Sequence, residues 1–393
     1  MKYTEKLFET NDFEEQENRV IKFKFSNKYK RMAYVFRFKN EDLLYWNERT
    51  IGYLGSVSLH KLYSVMHHFL DKYNNGRYMF VLDIEEYDFQ DKNVYMFFDL
   101  LSYHIIKYAK FHFLIQMKKR KEVLVSTNGF FNTCMYKFCA EHTKFSYKEC
   151  KERFIKNYER SLVANESWYR GYITSEEITV RNQISQVLSG VIKFLKEAHI
   201  SEHIQDSVRR VVSELVSNME HNDGDCVLDI DICDNNINIS FINIFGKRIF
   251  DDLMVLHAEQ NLRLSINEKL NQALDFHERY FDEKYTKEDF YFVATFQENV
   301  TTKPGYTAGT GLTEVVKALT KSFSKIASYV ITGNNVISFR ENLLGDGSEV
   351  VGFNESNNFL NDIPDKTTIQ RCELYIPGVV FHLIFKYKEE ELC

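Results

Sequence analysis

The sequence predicts an α/β fold class, an α+β sandwich over the C-terminal half preceded by a smaller α/β domain. Three observations carry this expectation. Strand-like and helix-like apolar segments alternate between about residues 50 and 125, the order of an α/β layer. From about residue 176, two amphipathic helical patterns lead into two strand-like runs separated by Asp234-Asn235-Asn236, a hairpin signature. Finally, the chain has only 16 glycines and 3 prolines, yet Pro304, Gly305, Gly309 and Gly311 fall close together, just before an apolar-periodic segment.

Composition narrows the class. The 393 residues are 44% hydrophobic and 27% charged, which reads as a globular protein long enough for about two domains. Net charge is −6, so nucleic acid is not indicated as a partner. No apolar run approaches the roughly eighteen residues of a membrane span, and the start MKYTEKLFETNDFEEQ lacks an apolar core. The 7 cysteines are odd in number and scattered, which suits reduced thiols and a cytoplasmic location.

The elements follow in order. Val20–Phe25 and Met32–Phe38 flank an Asn-Lys turn and read as a hairpin within an N-terminal segment, 1–49. Ser58–Tyr73 reads as a helix, Tyr78–Ile84 as a buried strand, Val94–Ala109 as an amphipathic helix and Phe111–Gln116 as another strand. This stretch, 50–125, resembles the small STAS-like regulatory domains. Residues 126–170 are charged and read as helical, so 126–175 is expected to connect this domain to a larger one at 176–393. There, Val180–Leu195 forms one helix and His203–Glu220 a second, with apolar residues spaced by three and four. Val227–Ile232 and Ile237–Phe245 form the hairpin, and Phe250–Phe281 reads as one long helical segment. A helix at Leu312–Phe323 follows, then strands at Tyr329–Thr332 and Val336–Arg340, a polar insertion over 341–369, and a strand pair flanking Pro377-Gly378.

Two motifs carry chemistry. In SELVSNMEHN, Glu214, Asn218 and His221 are spaced by four and three, which on a continuous helix places them on one face. An amide oxygen suits Mg²⁺, which keeps waters and substrate phosphates as its other ligands. A carboxylate one turn away can position or deprotonate a water. The same stripe also fits the solvated side of an amphipathic helix. In TTKPGYTAGTGLTEVVKAL, Gly309-Thr310-Gly311 opens a helix, where close backbone approach and free N–H groups favour an anion. Thr302 and Lys303 could add phosphate contacts. Alternatively, this is a flexible loop ending in a helix start.

Taken together, the helix with Glu214 and Asn218, the hairpin, the long insertion, Thr302-Lys303, the Gly309–Gly311 run and the closing strands resemble the GHKL ATPase superfamily, over about 178–388. Histidine-kinase-like ATPase domains, including anti-sigma serine kinases, are the most similar members. The resemblance implies a Bergerat-type mixed sheet with helices on one face. It implies ATP and Mg²⁺ as cofactors, with Asn218 as the metal ligand and Glu214 as the general base. Gly309, Thr310 and Gly311 would line the phosphates, Thr302 and Lys303 would belong to a lid, and His221 would lie near the phosphates. One motif departs. Where the family has D-x-G-x-G, this chain reads FINIFGKRI, so Asn243 stands at the adenine-reading Asp, Gly246 is retained and Lys247 replaces a glycine. An amide oxygen can accept the adenine hydrogen bond, without the charge; a turn residue after a strand is the plainer reading of Asn243.

The expected function is a Mg-ATP-binding protein, an ATPase whose nucleotide state switches a surface for a protein partner or a homodimer mate. An anti-sigma-like serine/threonine kinase and a non-hydrolysing nucleotide sensor or scaffold are the alternatives. Other clusters are weaker. Cys134, Cys139, His142 and Cys150 lack the paired spacing of zinc sites. The acidic group Asp83, Glu85, Glu86 and Asp88 reads as a solvated strand end. The series His257, Leu262, Ile266, Leu270 and Leu274 reads as a packing face, and His277-Glu278-Arg279 lies outside any dimerisation hairpin.

Overall fold

The computed structural model describes residues 20–26, 29–37, 78–83, 93, 96, 112–116, 154–157, 167–173, 180–218, 225–233, 235–244, 247–300, 302, 312–321, 328–345 and 350–387. The chain divides into two compact units, Met1–Glu166 and Ser167–Cys393.

In the first unit, β1 (Val20–Ser26) and β2 (Tyr29–Arg37) form an antiparallel hairpin with Val20 opposite Tyr34. From there the pairing is parallel. β2 runs beside β3 (Tyr78–Asp83), β3 beside β4 (His112–Gln116), and β4 beside β5 (Phe154–Asn157). The result is one five-stranded mixed sheet in sequence order. Parallel neighbours need crossover connections, and Asn93 and Met96, helical positions between β3 and β4, are fully buried. Helix was expected throughout 126–170, but β5 and the start of the next strand lie there. FIKN is only four residues long and has no period-two alternation, so among the surrounding lysines and glutamates it carries no strand signal of its own.

The second unit holds β6 (Ser167–Ile173), β7 (Asp225–Cys233), β8 (Asn236–Ile244), β9 (Ser328–Phe339) and β10 (Ile369–Lys386), in the spatial order β6-β7-β8-β10-β9. Every neighbouring pair is antiparallel, so this sheet is not the mixed one expected. Its helices are α1 (Val180–Glu197), α2 (Glu202–Ser217), α3 (Asp251–Ala258), α4 (Leu264–His277), α5 (Lys287–Ala294) and α6 (Thr313–Lys321). The apolar stripe of α2, Ile204, Val208, Val211, Val212, Leu215 and Val216, is buried as its spacing requires. It joins Val191 and Leu195 of α1, Val315 and Leu319 of α6, and one side of the sheet, including Leu228, Ile230, Ile239, Phe241, Phe381 and Leu383, in a single core. Burying each such side chain contributes about 1.5–3 kcal/mol.

Several elements depart from the sequence reading. The segment 250–281 is two helices, because α3 ends in a Schellman motif: Gln260 has φ 54°, and Asn261 N–H donates to Leu256 O at 2.8 Å. The sequence reading passes over α5, although Thr286 and Asp289 form a capping box at its start. β9 is continuous where two strands were expected. Gly333, at φ 59°, lets the strand bend, and Arg248 Cδ passes 2.8 Å from where a Cβ would lie. β10 likewise runs straight through Pro377-Gly378, with register shifts between Arg371 and Val379 in place of a turn. The insertion 341–369 is not a polar excursion: Leu344, Val351, Phe353 and Phe359 belong to the core.

Candidate functional site

Glu214 lies in the last turn of α2 and is half-buried. Asn218 caps the helix, with φ −66° and ψ −18°, and its backbone N–H bonds to Glu214 O and Val216 O. The helix expected to reach Glu220 therefore ends at Ser217. His221, Gly246, Lys303, Gly309, Thr310 and Gly311 lie outside the described residues, as do Cys134, Cys139, His142 and Cys150, and Glu85, Glu86 and Asp88. Thr302 is exposed.

Asn243 is only 1% exposed. It pairs across the sheet with Cys226 and Val379, and alternation puts it on the same side of β8 as Ile237, Ile239 and Phe241, the side covered by helices. Two of the predicted residues thus share a helix end, and a third lies on the sheet side that this helix covers. Lys247, the residue standing at the expected glycine, pairs with Asp252 at 2.9 Å on the surface.

The start of α6 is held firmly. Leu312 and Thr313 are buried, and Thr313 Oγ1 donates to Phe296 O at 2.9 Å. Lys317 pairs with Glu298 at 3.1 Å and Glu314 at 3.4 Å, which raises its pKa against the opposing effect of burial, the largest single influence on it. A cavity of about 340 Å³ runs between α2 and α6, lined by His203, Asp206, Arg210, Glu314, Lys317 and Lys321, among others. So the helix carrying Glu214 and the helix that follows the glycine run lie side by side.

Sequence reasoning missed a polar row on the other side of the sheet. Register places Arg170, Asp229, Ser240, His382 and Tyr329 opposite one another across all five strands. Asp229, Ser240, His382 and Tyr329 are at most 2% exposed. Ser240 Oγ lies 3.2 Å from His382 Nδ1, and two residues along the strands, on the same side, Asn238 Nδ2 donates to Asp231 Oδ1 at 2.6 Å. The row has serine between aspartate and histidine. A nucleophilic triad needs the histidine in the middle, so this order does not make one. The signal was legible as polar alternation in VLDIDIC and NINISF.

Among the described residues, no group of three or more His, Cys, Asp or Glu side chains could hold a metal, and no helix is long and apolar enough to cross a membrane. Compared with protein-family models, curated proteins and solved structures, the chain finds no match.

Proposed function

We propose that the second unit binds Mg-ATP and hydrolyses it, switching a surface offered to a protein partner or a second copy. The observation that carries this reading is that Glu214 and Asn218 stand at the end of α2, a helix that lies beside α6 over one side of an antiparallel sheet. Asn218 fits Mg²⁺ by its chemistry, since a half-buried neutral amide oxygen supplies one hard ligand without competing with phosphate charge. Bound there, the ion would neutralise phosphate charge. Glu214, one turn earlier, would orient or deprotonate a water. Asn243, buried between β8 and the helices, would accept a hydrogen bond from a base that enters that layer.

Calorimetry of the intact protein with a non-hydrolysable ATP analogue, with and without Mg²⁺, tests the reading. Asn218→Ala should abolish the Mg²⁺-dependent part of binding, and Glu214→Ala should keep binding and lose phosphate release. A second reading, a sensor that binds nucleotide without turnover, is favoured by the buried neutral Asn243 and by Lys247 in place of a glycine. Undiminished affinity with no phosphate release selects it. Transfer of label from ATP to a protein serine or threonine would select a kinase instead.

A further inference from the structure

Helices α3 to α5 carry two histidines that nothing in the nucleotide reading uses. Each sits in the last turn of its helix, buried, with both ring nitrogens engaged. His277 is fully buried; its Nε2 lies 2.7 Å from Phe359 O and its Nδ1 2.6 Å from the Tyr285 hydroxyl. A carbonyl can only accept, so Nε2 carries the hydrogen, and in the neutral ring Nδ1 accepts from the tyrosine. His257 repeats the arrangement: Nε2 donates to Asn271 Oδ1 at 3.0 Å, and Nδ1 accepts from Tyr291 at 2.8 Å. Each ring thereby bridges a helix to the α5 region, His277 through Tyr285 just before α5 and His257 through Tyr291 within it.

The surroundings disfavour a charge. Phe276, Phe290 and Phe359 have ring centres within 5.6 Å of His277; the Asp362 charge favours protonation, less strongly than burial opposes it. His257 faces Tyr291 and Asn271, and the Lys287 charge opposes its protonation further. Burial is the main cause that lowers both imidazoles below their ordinary value. Just beyond α5, three contacts tie this module to its neighbours. Phe296 O accepts from Thr313, Glu298 pairs with Lys317, and Gln297 Nε2 donates to Val351 O at 2.6 Å.

We propose that α3–α5 is a proton-operated clamp: protonation of His257 and His277 opens it and loosens its grip on the start of α6. The sign follows from linkage. The open form binds protons at the ordinary histidine pKa of 6.5, while the closed form resists them, so closure is complete above that value and weakens as pH falls below it. The inference stands on the second unit alone and does not require nucleotide binding.

Hydrogen–deuterium exchange of the full chain, corrected for intrinsic rates, tests it. From about pH 7.5 to about pH 5.5 the opening of residues 251–296 should rise, by up to about tenfold per histidine. Residues 313–321 should follow, while β7 and β8, which exchange through global unfolding, stay better protected than residues 251–296 at every pH. His257→Gln and His277→Gln should each remove about one proton from the pH slope, whatever they do to absolute stability. Should a variant fail to fold, the wild-type histidine C2–H resonances give the same answer: both rings should titrate together with the loss of protection. Protection of 251–296 that ignores pH, protection of β7 and β8 no higher than that of 251–296, or an unchanged slope in the variants would overturn the proposal.

Discussion

Replacing Asp289 by alanine should be among the most damaging single changes in the second unit. The side chain is fully buried and accepts from three elements. Asn335 Nδ2 on β9 and Arg371 Nη1 on β10 both reach Oδ1 at 2.7 Å, and Arg371 Nη2 reaches Oδ2 at 2.5 Å. Thr286 adds its backbone N–H at 2.7 Å and its hydroxyl at 2.8 Å, closing the capping box of α5. Arg371 is 38% exposed, so water would take over part of its demand, and its lost pairing is held to about 1 kcal/mol. Asn335 is only 3% exposed and would lose the acceptor of its amide, at about 1–3 kcal/mol. Loss of the cap adds about 1 kcal/mol. The expected cost is about 3–5 kcal/mol, in line with breaking a buried pair from one side. Urea unfolding of the full chain, followed by a probe in the second unit such as Trp168, measures it. Asp252→Ala is the control. Its pair with Lys247 is 47% and 59% exposed and should cost under about 1 kcal/mol. If the two variants differ by less than about 1 kcal/mol, the role assigned to Asp289 is wrong.

Three further outcomes are expected. Gly333→Ala should cost about 1–2 kcal/mol in the same urea assay, since its φ of 59° disfavours a side chain and Arg248 must shift. Gln297→Leu should cost about 2–4 kcal/mol, because Gln297 Oε1 accepts from Val351 N at 3.1 Å while its amide serves Val351 O, and both backbone groups would be left without a partner. Global stability should also fall as pH drops below the ordinary histidine value, because His257 and His277 are held neutral in the folded state; thermal melts across that range give the sign directly.

The parts of the fold legible in the sequence are those with uninterrupted periodicity. The buried stripe of α2 and the hairpin at Asn235, with φ 62°, follow from spacing and turn chemistry alone. Less legible were helix ends that use no glycine. His199 and Gln260 take the left-handed position after α1 and α3, with φ 56° and 54°, so nothing in the composition marks the stop. Conversely, Gly333 and Pro377-Gly378 look like strand breaks, yet the ladders of β9 and β10 absorb them by shifting register. The antiparallel direction of the whole second sheet is a long-range property that no local pattern encodes. At the candidate site, the sequence supplied Glu214 and Asn218 at the spacing of one helical turn, but not that α2 ends at Ser217 with Asn218 as its cap.

The central claim is tested most directly by titrating the intact protein with a non-hydrolysable ATP analogue and Mg²⁺ in a calorimeter, beside Asn218→Ala. The account predicts saturable binding that strengthens with Mg²⁺, and affinity weakened about tenfold or more in the variant. No saturable binding by the intact protein, or binding that ignores both Mg²⁺ and the loss of Asn218, would contradict it.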